Sequence, residues 1–163
     1  MIEQTLVLIK PDGVGRGLTG EVIKRFEKSG LKIVALKLTH VEKSFAEKHY
    51  TEDITIRRGE KIRKMLLDFI CEGPVVAMIV QGVDAISNVR KLVGATESKS
   101  ALPGTIRGDY SHVSYGHADE KEIPVRNVIH ASSDSTDAKN ELGLWFSIDE
   151  IHDYKRAGEE HLY

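Results

Sequence analysis

Cysteine is almost missing from this 163-residue chain. Cys71 stands alone, which rules out an internal disulfide, and there is no Asn-x-Ser/Thr sequon. No apolar run approaches the ~20 residues that a bilayer requires. Met1 leads into the strand-like Gln4–Ile9 without a basic region, an apolar stretch or a cleavage site of the secretory kind, so a cytoplasmic protein with no membrane partner is expected. Aromatics make up only 6% and the net charge is −2, which leaves no broad basic face for nucleic acid, so any anionic ligand must be met by individual cations. Familiar catalytic signatures are missing too: H-E-x-x-H, G-x-x-x-x-G-K-S/T and G-x-S-x-G are all absent. Seven histidines raise the question of a metal, but His112 and His117 with Asp119 lie in polar sequence without ligand spacing, and no metal-ligand set is expected.

The hydrophobic pattern fits one domain over residues 1–163. Gln4–Lys10 reads as a buried strand ended by the turn Pro11-Asp12-Gly13. Gly15-Arg-Gly17-Leu-Thr-Gly20 matches G-x-G-x-x-G, but the intervening turn and the missing carboxylate after the second strand argue against a dinucleotide site. Thr19 is expected to cap a helix burying Val22, Ile23 and Phe26, with Gly30 ending it. Val34, Leu36 and Leu38 alternate with Ala35 and Lys37, a half-buried strand completing β-α-β. Ser44-Phe-Ala-Glu47 reads as a capping box for a helix carrying His49, with Tyr50 at its end, and Ile62, Met65, Leu66 and Phe69 keep helical spacing. A strand over 75–80 and a helix capped by Asp84 follow. Residues 94–116 read as a long surface loop, 116–124 as a polar insertion, Trp145-Phe146 as core, Ser147–Glu150 as a second capping box and 154–163 as a polar tail.

The stretch Asn127-Val-Ile-His130-Ala-Ser132 is the centre of the reading. His130 follows a short apolar segment and precedes a Ser/Asp-rich helix start, which predicts an imidazole in a loop between two ordered elements. Glu141, three turns along that helix, is placed to fold back on one ring nitrogen and leave the other a better nucleophile. The alternative on this stretch alone is a loop histidine beside a capped helix. Lys10, Arg90 and Arg107 stand at element ends or in loops, where little core is expected to depend on them, with hydroxyls from Tyr50 and Thr96.

Taken together, Lys10-Pro-Asp-Gly-Val14, Arg16-Gly17, His49-Tyr50, Gly73–Met78, Pro103-Gly-Thr-Ile-Arg107-Gly-Asp109, Asn127–Ser132 and Glu141-x-Gly-Leu-Trp-Phe146 resemble the nucleoside diphosphate kinase family, in order along essentially the whole chain. The resemblance implies a ferredoxin-like α+β sandwich, an antiparallel sheet covered by helices, assembled as a homo-hexamer or tetramer. It implies ping-pong transfer of the γ-phosphate from ATP or another nucleoside triphosphate to a nucleoside diphosphate, through a phosphohistidine on His130. Ser132 and Glu141 match the positions that orient the imidazole. Lys10, Tyr50, Arg90, Thr96, Arg107 and Asn127 match those that hold phosphates and sugar, and Mg²⁺ arrives with the nucleotide.

The chain departs from the family pattern in three places. Ser133 replaces an aspartate and Asp134 is displaced by one, which puts the local capping in question. Extra residues lie between Asp109 and Asn127, and others between Tyr50 and Leu66. The latter remove the aromatic that stacks on the base: counting forward its place falls on Arg58, counting back on Ile62, and Ile62 is preferred because Leu66 one turn along completes an apolar slot. Two rival readings are a catalytically silent nucleotide-binding or scaffold relative, which the pairing of His130 with Glu141 disfavours, and a nucleic-acid module, which charge and aromatic content disfavour.

Overall fold

In a computed structural model, residues 1–162 are described, and Tyr163, the last residue of the expected tail, lies outside them. Four strands, β1 (Ile2–Ile9), β2 (Lys32–His40), β3 (Pro74–Val83) and β4 (Ile129–Ala131), form one antiparallel sheet in the order β2-β3-β1-β4. β1 and β2 therefore run parallel with β3 inserted between them, a split β-α-β unit that agrees with the ferredoxin-like expectation. Helices α2 (Thr19–Lys28) and α6 (Ala85–Val93) cover one face. The other face is covered by α3 (Lys43–His49), α5 (Glu60–Ile70) and α9 (Ser135–Trp145).

β1 is apolar on both sides because both sides are covered. Val7 and Ile9 pack with Val22, Phe26 and Val89, while Leu6 and Leu8 pack with Tyr50, Leu67 and Trp145. Each such fully buried aliphatic contributes roughly 1.5–3 kcal/mol. The same period of two aims the nucleophile candidate. Ile129 and Ala131 join the α2/α6 core, so His130, paired with Leu8, projects toward α3 and α9. His130 thus sits on a short edge strand, and the expected loop is corrected.

Several local expectations are corrected by tertiary contacts. Pro11-Asp12-Gly13 opens a short helix, α1 (Pro11–Gly15), with Pro at its first position, where its missing N–H costs nothing. Thr19 and Ser44 lie inside their helices and Leu18 and Glu42 occupy the N-caps, without side-chain caps. Asp84 adopts a left-handed conformation and binds the N-terminal amine of Met1 at 3.2 Å instead of capping α6. A bulge between Ile33 and Ala35 shifts the register of β2, so Ala35 is buried and Leu36 and Leu38 are exposed. Residues 94–116 are more ordered than a loop: a 3₁₀ turn (Ser98–Ser100) precedes α7 (Ile106–Tyr110), and Ile106 is fully buried. Two further helices were not anticipated, α4 (Glu52–Arg58) and α8 (Tyr115–Lys121), the latter in the inserted segment. The tail is anchored, with Arg156 donating to the carbonyls of Gly30 and Leu31 at 2.7 and 2.8 Å. The capping box Ser147–Glu150 and the buried Trp145 and Phe146 are as read.

Candidate active site

The site is built on the turn that follows β1. Gly13 packs so tightly that a Cβ there would lie 2.9 Å from the carbonyl oxygen of Val128. The Lys10 N–H donates to that same carbonyl at 2.8 Å, and Asp12 accepts from the Val128 N–H at 2.9 Å. Val128 has φ +70°, a conformation that strains a β-branched residue by about 1–3 kcal/mol, and these contacts hold it there. Asn127 is thereby fixed against Lys10, and β4, which carries His130, follows directly after Val128. The lysine Nζ donates to Asn127 Oδ1 at 2.7 Å, and Asn127 Nδ2 donates to the Thr96 carbonyl at 2.7 Å.

His130 Nε2 lies 2.8 Å from Glu141 Oε1, and the Ser132 hydroxyl donates to the second carboxylate oxygen at 2.6 Å. Burial works to raise the Glu141 pKa, but the hydrogen bond and charge of His130, the nearby His49 and the Ser132 hydroxyl outweigh it and hold the carboxyl below its ordinary range. An ionised carboxylate only accepts, so Nε2 carries the ring proton and Nδ1 keeps its lone pair. Asp134, whose displacement put capping in question, does cap α9: its Oδ1 accepts from the N–H groups of Thr136 and Asp137 at 2.8 and 3.0 Å. That cap fixes the start of the helix that carries Glu141.

Cations gather on the open side of the imidazole. Lys10, Tyr50, Arg90, Thr96, Arg107, Asn127, His130 and Glu141 all line one cleft of about 620 Å³. Arg107 is buried, its guanidinium donating to the carbonyls of Gly94 at 3.0 Å and Ile129 at 2.7 Å. This corrects the expectation that little of the fold depends on it. Burial, helped by the neighbouring charge of Arg90, lowers its pKa to about 10. Burial and then the charge of Arg107 lower Lys10 to about 8, against a partial lift from Asp12. Three positive groups held together with so little compensation make a site for a multiply charged anion. Arg90 itself is exposed.

A second lobe of about 520 Å³ shares Lys10, Thr96 and Asn127 with the first and is mainly apolar. Ile62 and Leu66 of α5 form one wall, and Leu66 and Arg58, the other candidate position, line both lobes. The opposite wall is the inserted segment, with Tyr115, Ala118 and Ile123. An ion pair between Lys61 and Glu122 ties the two walls together at the surface. Ser132 is fully buried and meets the site through its hydrogen bond to Glu141. Sequence reasoning missed Asp12 and the wall from α8. His49 carries no assigned role in the sequence, although its imidazole packs edge-on against His130, ring centroids 4.8 Å apart. Its position next to Tyr50 was the only signal in the chain.

Residues 3–151 match the family model described as nucleoside diphosphate kinase. The chain is 49% identical to the nucleoside diphosphate kinase of Borreliella burgdorferi, covering 100% of this chain and 99% of that one, and 47% identical to that of Pyrococcus furiosus, covering 97% and 91%. Among solved structures, it is similar to a transition-state mimic of the Borrelia burgdorferi enzyme with bound vanadate and ADP, with TM-score 0.97, 48% identity and coverage of 99% and 97%. It is also similar to the Halobacterium salinarum enzyme in complex with CDP, with TM-score 0.85, 38% identity and coverage of 100% and 99%. With a matching fold, an oriented histidine and a converging set of cations, the chain belongs to the nucleoside diphosphate kinase family.

Proposed function

We propose that His130 is the nucleophile of this nucleoside diphosphate kinase and shuttles the γ-phosphate between nucleotides. The observation that carries the assignment is the 2.8 Å contact of its Nε2 with Glu141 inside a cleft lined by Lys10, Arg90 and Arg107. In the first half-reaction a bond forms between Nδ1 and the γ-phosphorus while the bond from that phosphorus to the bridging oxygen breaks, and the diphosphate leaves. The ring gains positive charge, which the Glu141 carboxylate offsets. A loose transition state spreads negative charge over the equatorial oxygens, and the three cations with the hydroxyls of Tyr50 and Thr96 are placed to meet it. Lys10 and Asn127, joined at 2.7 Å, hold the sugar and phosphate end of the nucleotide. The second half-reaction reverses these steps onto another diphosphate.

Vanadate with ADP in the Borrelia relative and CDP in the Halobacterium relative support a cleft that takes adenine and cytosine nucleotides alike. The base enters the lobe beside Ile62. Mg²⁺ comes with the nucleotide as part of the substrate, held between its phosphates with little ligation from the protein. No helix among the described residues is long and apolar enough to cross a membrane. The single catalytic domain spans residues 1–163 and works in the cytoplasm as a homo-oligomer, a hexamer or tetramer, with no nucleic acid or membrane partner. Exposed Leu36 (53%) and Leu38 (65%) on the edge strand β2 give it an apolar docking edge. Brief exposure to labelled ATP, followed by acid and base treatment, tests the intermediate: label stable to base, lost in acid and absent from His130→Gln is expected. Label that survives acid refutes the phosphohistidine.

A further inference from the structure

His49 is fully enclosed, with 1% of its side chain exposed, yet its ring is poorly satisfied. Nδ1 accepts a long 3.3 Å hydrogen bond from the Trp145 indole, and Nε2 has no partner among the described residues. The ring lies against Tyr50, Trp145 and His130, and its Nδ1 is 3.7 Å from Glu141 Oε1, the oxygen that also meets His130 Nε2 at 2.8 Å. One ligand atom from each of His49, His130 and Glu141 falls within 4.8 Å of the others. Tetrahedral Zn²⁺ with bonds of about 2.0–2.1 Å needs ligand atoms roughly 3.3 Å apart, a spacing these separations bracket.

We propose that His49, His130 and Glu141 form a site for a borderline-soft divalent cation, Zn²⁺ above all, that switches off the nucleophile. Two imidazoles and one carboxylate recur as a Zn²⁺ ligand set, and the cleft leaves room for water in a fourth position. His49 Nδ1 already accepts from the Trp145 indole, so that nitrogen holds a lone pair. Mg²⁺, which prefers oxygen ligands, does not compete for this set. The chemistry of inhibition is a tautomer exchange. Zn²⁺ bonds to His130 Nε2 in place of the proton now shared with Glu141, solvent takes that proton, and Nδ1 takes one from solvent. The ring stays neutral, but its nucleophilic lone pair is gone. His49 gives up only the long bond from Trp145.

The test needs no phosphotransfer and so stands apart from the catalytic assignment. Metal-free protein, without nucleotide, is titrated with Co²⁺ while its visible ligand-field absorption is followed, and with Zn²⁺ in competition with a chromophoric chelator. One ion per chain is expected. His49→Asn keeps an acceptor for Trp145 but removes the ligand, and weakening of at least about tenfold is expected, as for other losses from a metal's shell. Glu141→Gln is a second variant with the same expectation, so the test survives if one fails to fold. Absence of stoichiometric binding to the wild-type chain, or unchanged affinity in folded His49→Asn and Glu141→Gln, overturns the proposal.

Discussion

Each of the charged residues in the cleft answers to a different environment, and substitution should separate them. Arg90 is exposed and Arg107 is buried on two carbonyls. Replacing either by Gln should cost about 2–4 kcal/mol of transition-state stabilisation, the scale of losing a preorganised donor. Only Arg107→Gln should also lower stability, by about 1–3 kcal/mol, because the carbonyls of Gly94 and Ile129 lose their partner. Thermal unfolding of the two variants checks this, and equal melting temperatures would contradict the burial argument. Lys10 gives a pH signature. Its pKa of about 8 in the folded chain lies below the ordinary 10.5, so between those values the unfolded chain holds more protons and stability rises with pH. Over the same window the lysine loses the charge that meets phosphate. We therefore expect kcat/KM to fall above about pH 8, and kcat less so, because bound phosphate restores the proton. A profile that stays flat through this window would remove Lys10 from the phosphate site.

Two elements carry the site's alignment. The cap on α9 rests on Asp134, and Asp134→Ala should cost about 1 kcal/mol of stability, with Asp134→Asn largely restoring it. Because α9 carries Glu141, activity of the Ala variant should fall by more than its folded fraction, a difference that turnover normalised to circular dichroism reads directly. The second element is α5 with its slot at Ile62. The cavity beside it is apolar and closed on the far side by α8. A phenyl ring there adds the π face that Ile lacks, worth roughly 1–3 kcal/mol per stacked base. Ile62→Phe should then tighten ADP and CDP, the purine more. Unaltered affinity for both with a lower melting temperature would mean that Ile62 serves packing alone.

At the scale of the molecule, the sheet leaves β2 on its edge with two leucines in solvent. An edge strand that shows leucines to solvent invites pairing with another chain, which is the physical basis for expecting an oligomer. Leu38→Glu should lower the mass measured by light scattering after gel filtration, and an unchanged mass would place the interface elsewhere. The buried faces of the sheet would be untouched by this change, since Leu38 lies outside both core clusters.

The sequence by itself nominated the groups that the proposed chemistry uses. Taken singly, His130, Glu141, Lys10 and Arg107 read as ordinary loop and element-end residues, and it was the resemblance of the motifs in order to one family that nominated them together and implied the fold class. Helix and strand existence was legible wherever periodicity was strong, as in β1, α2 and α5. What only the tertiary structure decided was proximity and burial. Lys10 and Asn127 meet across 117 positions of chain, and Asp12 holds Val128 in a backbone state that no local propensity favours. Leu36 and Leu38 read as half-buried until a one-residue bulge turned them outward, because a shift of one reverses every side chain of a strand. The inserted residues 116–124 look polar and formless in one dimension. They become the wall of a cleft because Ala118 and Ile123 have α5 opposite them, a partner that exists only once the chain has folded.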